Sequence, residues 1–133
     1  MTITATRICD SMSLQGVRLT TFQLRYPRFI HAELMTHRVF SRNASSSRAV
    51  PVAKLIEDIK RDTAMPMHWG KNQPGMQADE ECNEDVEIIG IADGQKYMCK
   101  YNRETAWNYA RDKAIEAAEA FNEAGYHKQI VNR

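Results

Sequence analysis

The sequence has few cysteines and no long apolar run. Its three cysteines, Cys9, Cys82 and Cys99, lie far apart and form no Cys-x-x-Cys pair, which argues against a disulfide framework and against a structural zinc site. No apolar stretch approaches the roughly 20 residues that a membrane-spanning helix needs, and the N-terminus lacks the basic-then-apolar order of a signal peptide. These absences predict a cytoplasmic protein without a membrane partner and without a bound metal.

Acidic residues are scarce in the first part of the chain. Residues 1–48 contain only Asp10 and Glu33 against seven arginines and no lysine, while the remaining residues carry an excess of acids, so that the net charge is only +1. Arginine is suited to bidentate recognition of phosphate or carboxylate, although nucleic-acid binding leaves the same footprint. The length of 133 residues, with 43% hydrophobic composition, predicts one globular domain over residues 1–133.

The segment from Met35 to Pro51 combines arginines with short polar side chains and contains no carboxylate. Forked guanidinium groups alternate here with hydroxyl and amide groups, and serine and asparagine favour turns that aim main-chain N–H groups inward. This pattern predicts an anion site for a phosphorylated ligand. The competing interpretation is an ordinary loop with helix-capping hydroxyls and solvated arginines.

The same segment resembles the signature of the flavin-dependent thymidylate synthases. That signature is usually written Arg-His-Arg-x-x-Ser-x-Asn-x-x-Ser-x-Arg, and this chain reads His37-Arg38-x-x-Ser41-x-Asn43-x-x-Ser46-x-Arg48. It departs from the family at Thr36, which stands where the first arginine is expected. The resemblance covers residues 17–51, because a strand, a proline and a short helix precede the signature in the family as well.

The resemblance implies reductive methylation of dUMP to dTMP, with FAD, NADPH and methylenetetrahydrofolate as cofactors. It assigns flavin contacts to His37, Arg38, Ser41 and Asn43. It places Ser46 and Arg48 in the catalytic site, and assigns substrate binding to Glu33, Ser46, Ser47, Arg48 and Arg133. Ser46 is expected to hydrogen-bond the nucleotide and not to attack it, because no adjacent base is evident.

The family also implies an assembly and an extent for the chain. Its active sites form where the subunits of a homotetramer meet, and its fold is α+β, a small antiparallel sheet packed with helices. Family members continue beyond the position of Arg133, so the resemblance predicts that this chain is incomplete at its C-terminus. The alternatives are a flavin-dependent pyrimidine nucleotide hydroxymethylase and a noncatalytic, arginine-rich nucleic-acid-binding module; the resemblance makes nucleic acid the less favoured partner.

Periodicity and turn residues predict the remaining elements. Strands are predicted over residues 2–10 and 17–26, the second half-buried, then a short helix opened by Pro27, an amphipathic helix over 51–63 and a strand over 86–91 before an Asp93-Gly94 turn. A long helix is predicted over 102–124, with Asn102 as cap and Gly125 as stop, and the start of another follows at His127. Asp79–Glu87 is expected to be a solvated acidic excursion.

Two features leave alternatives open. His31-Ala32-Glu33 imitates half of the zinc site of nucleotide deaminases, but its Pro-Cys-x-x-Cys partner is missing, so His31 is interpreted as a surface or packing residue. The loop over residues 64–78 is rich in glycine and proline and carries His68 and Trp69. These two side chains either line the active site or fix the loop to the body of the protein.

Overall fold

The computed structural model describes residues 1–132 and has an α+β architecture, with two separate two-stranded antiparallel sheets and four α-helices. The chain divides into two compact units. The first comprises residues 1–46 and 57–64, and the second comprises residues 47–56 and the chain from residue 65 onward. None of the helices in residues 1–132 is both long enough and apolar enough to cross a membrane. The two sheets and four helices confirm the α+β class predicted from the sequence.

The first unit is built on a hairpin of β1 (Thr4–Met12) and β2 (Arg18–Arg25), with Thr4 opposite Arg25 and Met12 opposite Arg18. A β-bulge interrupts the register between Arg7 and Cys9, which bends a strand locally. Both strands were predicted, but the prediction that the second is half-buried is wrong. The side chain of Phe22 is 54% exposed and that of Leu19 is 67% exposed, so the alternation of apolar and polar residues in β2 is present but does not bury these apolar side chains.

Residues 57–64 of the same unit form polar contacts with the end of the hairpin where β1 begins and β2 ends. Asp62 accepts hydrogen bonds from the main-chain N–H of Thr2 at 3.0 Å and forms an ion pair with Arg25 at 3.0 Å. The N-terminal ammonium of Met1 donates to the carbonyl of Thr63 at 2.6 Å. Donation from the Thr2 N–H, with the charges of the N-terminus and Arg25, lowers the pKa of the Asp62 carboxyl. These polar contacts anchor the hairpin where apolar packing does not.

The predicted helices on either side of the signature segment are present. Pro27 precedes a 3₁₀ turn (Arg28–Ile30) that runs directly into α1 (His31–Thr36), and α2 spans Val52–Arg61. In α2, Val52 is buried, and Leu55, Ile56 and Ile59 are half-buried. The apolar stripe predicted for this helix is thus its least exposed face.

In the second unit, β3 (Val86–Ala92) and β4 (Gln95–Tyr101) form a hairpin, and α3 (Arg103–Glu123) packs against it. Asp93 and Gly94 have φ angles of 52° and 74°, the left-handed values that a two-residue hairpin turn requires. The Asn102 side chain accepts the Thr105 N–H at 2.8 Å to cap α3. The predicted strand and the Asp93-Gly94 turn, the long helix and its cap are confirmed.

The end of α3 also follows the sequence pattern. Gly125 has a φ of 84°, a left-handed conformation in which helices commonly stop at glycine. A short helix, α4 (Lys128–Val131), follows, with the His127 ring nitrogen accepting the Gln129 N–H at its start. The helix start predicted at His127 is confirmed.

The loop that precedes the second hairpin is fixed by Trp69. Its ring lies edge-on against Trp107 with centroids 5.7 Å apart, and the guanidinium carbon of Arg103 lies 5.5 Å from the Trp69 centroid. Glu81 accepts from the Trp69 N–H and from Arg103, both at 3.3 Å, and the first of these contacts is the main reason why the pKa of Glu81 is lowered. Trp69 therefore fixes the loop to α3. Glu81 lies in the segment that was predicted to be a solvated acidic loop, but its carboxylate is hydrogen-bonded to Trp69 and Arg103.

Candidate functional site

The segment between α1 and α2 carries the residues that the signature singles out. Residues 34–56 contain Arg38, Arg42, Arg48 and Lys54 but no aspartate or glutamate. The structure describes most of this segment as exposed loop, with one 3₁₀ turn at Ser47–Ala49. A run of cationic and hydroxyl side chains without carboxylates is a donor set that suits an anionic ligand.

Arg42 folds back onto its own loop. Its guanidinium donates to the carbonyls of His37 and of Met35, the latter at 2.5 Å, and to that of Phe40 at 3.5 Å. Carbonyls at the end of a helix lack intrahelical partners, and a basic side chain can satisfy them. Arg42 thus caps α1 and braces the turn that follows. Its guanidinium faces main-chain carbonyls of its own loop.

The residues expected to contact flavin lie on both sides of this brace. The His37 ring stacks on Phe40 with centroids 6.1 Å apart and planes 22° from parallel. Arg38, Ser41 and Asn43 are exposed, and the structure shows no hydrogen bond from their side chains to any of residues 1–132. Their donor groups point to no partner within the described chain and are available to a ligand.

Thr36, which replaces the first arginine of the signature, has a local role. Its hydroxyl donates to the carbonyl of Glu33 at 2.7 Å, a bond within the last turn of α1. Threonine hydroxyls commonly bond back to a carbonyl of the preceding helical turn. One guanidinium of the family pattern is therefore replaced by a group that is already satisfied.

The nucleotide-binding residues predicted from the resemblance are distributed over the two units. Glu33 is exposed on α1, and Ser46 ends the first stretch of the first unit. Ser47 and Arg48 begin the second unit and form the 3₁₀ turn, with Ser47 half-buried and Arg48 exposed. Arg133 lies outside the described residues, so its predicted contact with the nucleotide phosphate stays a prediction.

The turn that carries Arg48 is clamped from the far end of the sequence. The Asn132 side-chain nitrogen donates to the carbonyls of Ser47 and Val50 at 2.8 and 2.9 Å. Both partners are acceptors, which also settles that the amide nitrogen, and not the amide oxygen, faces them. Asn132 thus holds the residues on either side of Arg48 at a defined separation.

His31 has a packing role in the structure. The Tyr26 hydroxyl and His31 Nδ1 are 2.8 Å apart, and their rings stack with centroids 5.9 Å apart. Within residues 1–132, no three His, Cys, Asp or Glu side chains are grouped so that they could hold a metal ion. The contact with Tyr26 agrees with the interpretation of His31 as a surface or packing residue.

Arg42 and Asn132 were missed as positioning residues when the sequence was read alone. For Arg42 a local signal exists, since an arginine follows the C-terminal end of a short helix by a few residues. For Asn132 no local signal exists, because its partners lie 82 and 85 positions away in the chain. A contact of that range follows from the tertiary fold alone.

The segment as folded offers exposed cationic and amide donors beside α1 and a clamped turn with Arg48. Such groups can bind a phosphate or a polyphosphate. Comparison with protein-family models, with curated proteins and with solved structures gave no match to this chain.

Proposed function

We propose that this chain belongs to a flavin-dependent thymidylate synthase and contributes the signature segment of its active site. The observation that carries the proposal is the largely exposed segment of residues 37–48, which holds six signature residues and no carboxylate. The donors of Arg38, Ser41 and Asn43 are uncommitted within residues 1–132, as groups that await a ligand would be. The family's homotetramer and its small sheet packed with helices are part of the same proposal.

The donor set fits the cofactor that the proposal requires. FAD carries a pyrophosphate, and a loop with an exposed guanidinium, hydroxyl and amide suits such an anion. In this assignment His37, Arg38, Ser41 and Asn43 hold FAD, and Arg42 fixes the loop from which they project. When bound, FAD reduced by NADPH supplies the redox chemistry by which the one-carbon unit of methylenetetrahydrofolate reaches C5 of dUMP.

The chain's own residues bind and orient the nucleotide. Arg48 pairs with the phosphate of dUMP, and the Asn132 clamp holds the turn from which it extends. Ser46 and Ser47 donate hydrogen bonds to the nucleotide, and Glu33 faces the base, whose single N–H group, at N3, can donate a hydrogen bond to a carboxylate. Arg133 adds a second guanidinium to the phosphate by resemblance alone. No protein group attacks the substrate in this scheme.

The test is ligand binding and turnover by the purified full-length protein. The proposal predicts a flavin absorption spectrum after incubation with FAD, and dUMP binding that exceeds binding to a single-stranded DNA oligonucleotide. It further predicts formation of dTMP when NADPH and methylenetetrahydrofolate are added. A 5-hydroxymethylated nucleotide in place of dTMP would assign the hydroxymethylase reaction. Binding of DNA that falls steeply with salt, with no flavin and no dUMP binding, would overturn the proposal in favour of a nucleic-acid-binding module.

Arg48 is the sharpest single position for this test. Loss of a hydrogen-bonded charge partner should weaken dUMP binding by about 2–3 kcal/mol, on the order of 30- to 150-fold. Arg48→Lys should recover only part, because a single ammonium cannot reproduce the guanidinium fork. Lys54→Ala on α2 is the matched control, since it removes the next cation along the chain outside the signature. Equal calorimetric affinities for Arg48→Ala and Lys54→Ala would place Arg48 outside the site.

Ser46 separates positioning from covalent catalysis. Ser46→Ala should lower dUMP affinity and turnover by about tenfold, the cost of one hydrogen bond to a ligand, and should still form product. The product is measured by chromatography under single-turnover conditions. A nucleotide found covalently attached to Ser46 by mass spectrometry would contradict the assignment.

A further inference from the structure

A concave site lies in the second unit, between the β3–β4 hairpin and α3. Its cavity has a volume of about 300 Å³, at the small end of the range typical of ligand pockets. The strand register places Tyr97 opposite Gly90, Cys99 opposite Ile88 and Tyr101 opposite Val86. Since alternate residues of a strand share a face, Tyr97, Cys99 and Tyr101 line one side of the hairpin together. We call this cavity the tyrosine cleft.

Gly90 lies at the base of the tyrosine cleft, which we call its floor. Gly90 has no left-handed φ that would require glycine, and an added Cβ would come no closer than 3.9 Å to any side chain, that of Cys99. Neither backbone strain nor crowding therefore explains glycine at this position. What its missing side chain provides is the open space beside Cys99.

The wall that α3 contributes is aromatic. The rings of Tyr101 and Tyr109 stack with centroids 5.7 Å apart and planes 22° from parallel. The neighbouring Cys99 thiol raises the pKa of the Tyr101 phenol. Stacked tyrosines offer flat, polarizable surface that favours another planar ring.

A cation lies at the rim of the same wall. The Lys113 ammonium lies 6.0 Å from the Tyr109 centroid and forms an ion pair with Glu116 at 2.6 Å. Both side chains are well exposed, at 57% and 69%, so the pair is held weakly. An ammonium has three donors, and one bond to Glu116 leaves it able to bind a second carboxylate.

We propose that the tyrosine cleft binds a planar aromatic molecule that carries a carboxylate, with the ring against Tyr109 and Tyr97 and the carboxylate on Lys113. The open floor at Gly90 receives the edge of the ring. This site is independent of the signature segment and does not rest on the function proposed above.

The test is a titration of the full chain with 4-aminobenzoate and with its uncharged analogue 4-aminobenzamide, followed by NMR at the amides of Gly90 and Cys99. The proposal predicts saturable shifts at these amides and weaker binding of the benzamide. Glu116→Gln should tighten 4-aminobenzoate binding by up to about fivefold, because it removes both the competing partner of Lys113 and a repelling charge. Lys113→Gln should abolish the preference for the charged probe.

The matched control for charge is Glu87→Gln, which makes the same substitution on the opposite face of the hairpin, where Glu87 pairs with Lys100. It should leave the affinity unchanged. Gly90→Leu should fill the floor and remove saturable binding, while the other amide resonances of the hairpin verify that the strands still pair. Non-saturable shifts in the wild type, or equal effects of Glu116→Gln and Glu87→Gln, would overturn the proposal. Unchanged binding in Gly90→Leu with an intact hairpin would do so as well.

Discussion

Asn132 is predicted to hold the turn that carries Arg48, and this prediction can be worked out from two hydrogen bonds. The Asn132 amide nitrogen donates to the Ser47 and Val50 carbonyls at 2.8 and 2.9 Å, in a partly buried setting. A neutral hydrogen bond contributes about 0.5–1.5 kcal/mol net. Because water can reach the freed carbonyls in part, Asn132→Ala should cost about 1–2 kcal/mol of local stability. Asn132→Asp should cost more, because it keeps the shape but turns a carboxylate oxygen toward two carbonyl oxygens.

Amide hydrogen exchange in α4 measures this local free energy. The N–H groups of Ile130 and Asn132 bond to His127 and Lys128 at 2.8 and 3.0 Å, and a helix this short depends on its tertiary contacts. Their protection should fall by about five- to thirtyfold in Asn132→Ala, and further in Asn132→Asp. Asn72→Ala and Asn72→Asp are matched controls at an exposed loop residue whose side chain bonds to none of residues 1–132. Equal protection in Asn132→Ala and wild type would refute the clamp, as would a milder effect of the aspartate.

Three further predictions follow from single side chains. Asn102→Ala should lower the free energy of unfolding by about 1 kcal/mol in urea melts, because α3 loses its N-cap. Asn122→Ala, inside the helix, should leave the free energy of unfolding unchanged. Equal losses in the two variants would contradict the cap. The pKa of Asp62 is lowered in the folded state, so its stabilisation is complete above the unfolded value of about 3.9 and is lost as the pH falls through the folded value. Asp62→Asn should therefore lose less stability than the wild type between neutral and acid pH, and parallel curves would exclude the role. Arg42→Ala should speed chymotrypsin cleavage after Phe40, because the bonds from Arg42 to the loop carbonyls are lost. Arg42→Lys should give an intermediate rate, and cleavage after Tyr126 serves as the internal reference. An unchanged cleavage rate would show that Arg42 does not hold the loop.

The elements that could be predicted from sequence are those with local causes. α3 has a cap, an apolar period and a glycine stop within one stretch of chain, and its bounds, Arg103–Glu123, fall within one residue of the predicted ends. The second hairpin follows from Asp93-Gly94, where the turn demands left-handed residues. In both cases the residues that decide the conformation are neighbours in sequence.

Burial could not be predicted in the same way. The alternation in β2 indicates a half-buried strand, yet Leu19 and Phe22 are more than half exposed. A period of two shows which residues share a face, but what covers that face depends on distant parts of the chain. The bond from Asn132 to Ser47 and Val50 has the same character, since 82 and 85 positions separate the partners. Arg42 is a different case, because its guanidinium could equally serve a phosphate or a helix end, and only the fold distinguishes the two.

The candidate segment is held near its two ends, and between them the main-chain N–H groups of residues 38–45 donate to no main-chain carbonyl of residues 1–132. Arg42 donates hydrogen bonds to the carbonyls of Met35 and His37, and Asn132 donates to those of Ser47 and Val50. Fixing the backbone of one residue costs about 1–2 kcal/mol, so a ligand that orders these residues uses part of its interaction energy to do so.

Arg42 and Asn132 lower that cost because they restrict the loop before any ligand arrives. Substitution of Arg42 should therefore weaken FAD binding and substitution of Asn132 should weaken dUMP binding, although the proposed site gives neither side chain a ligand contact.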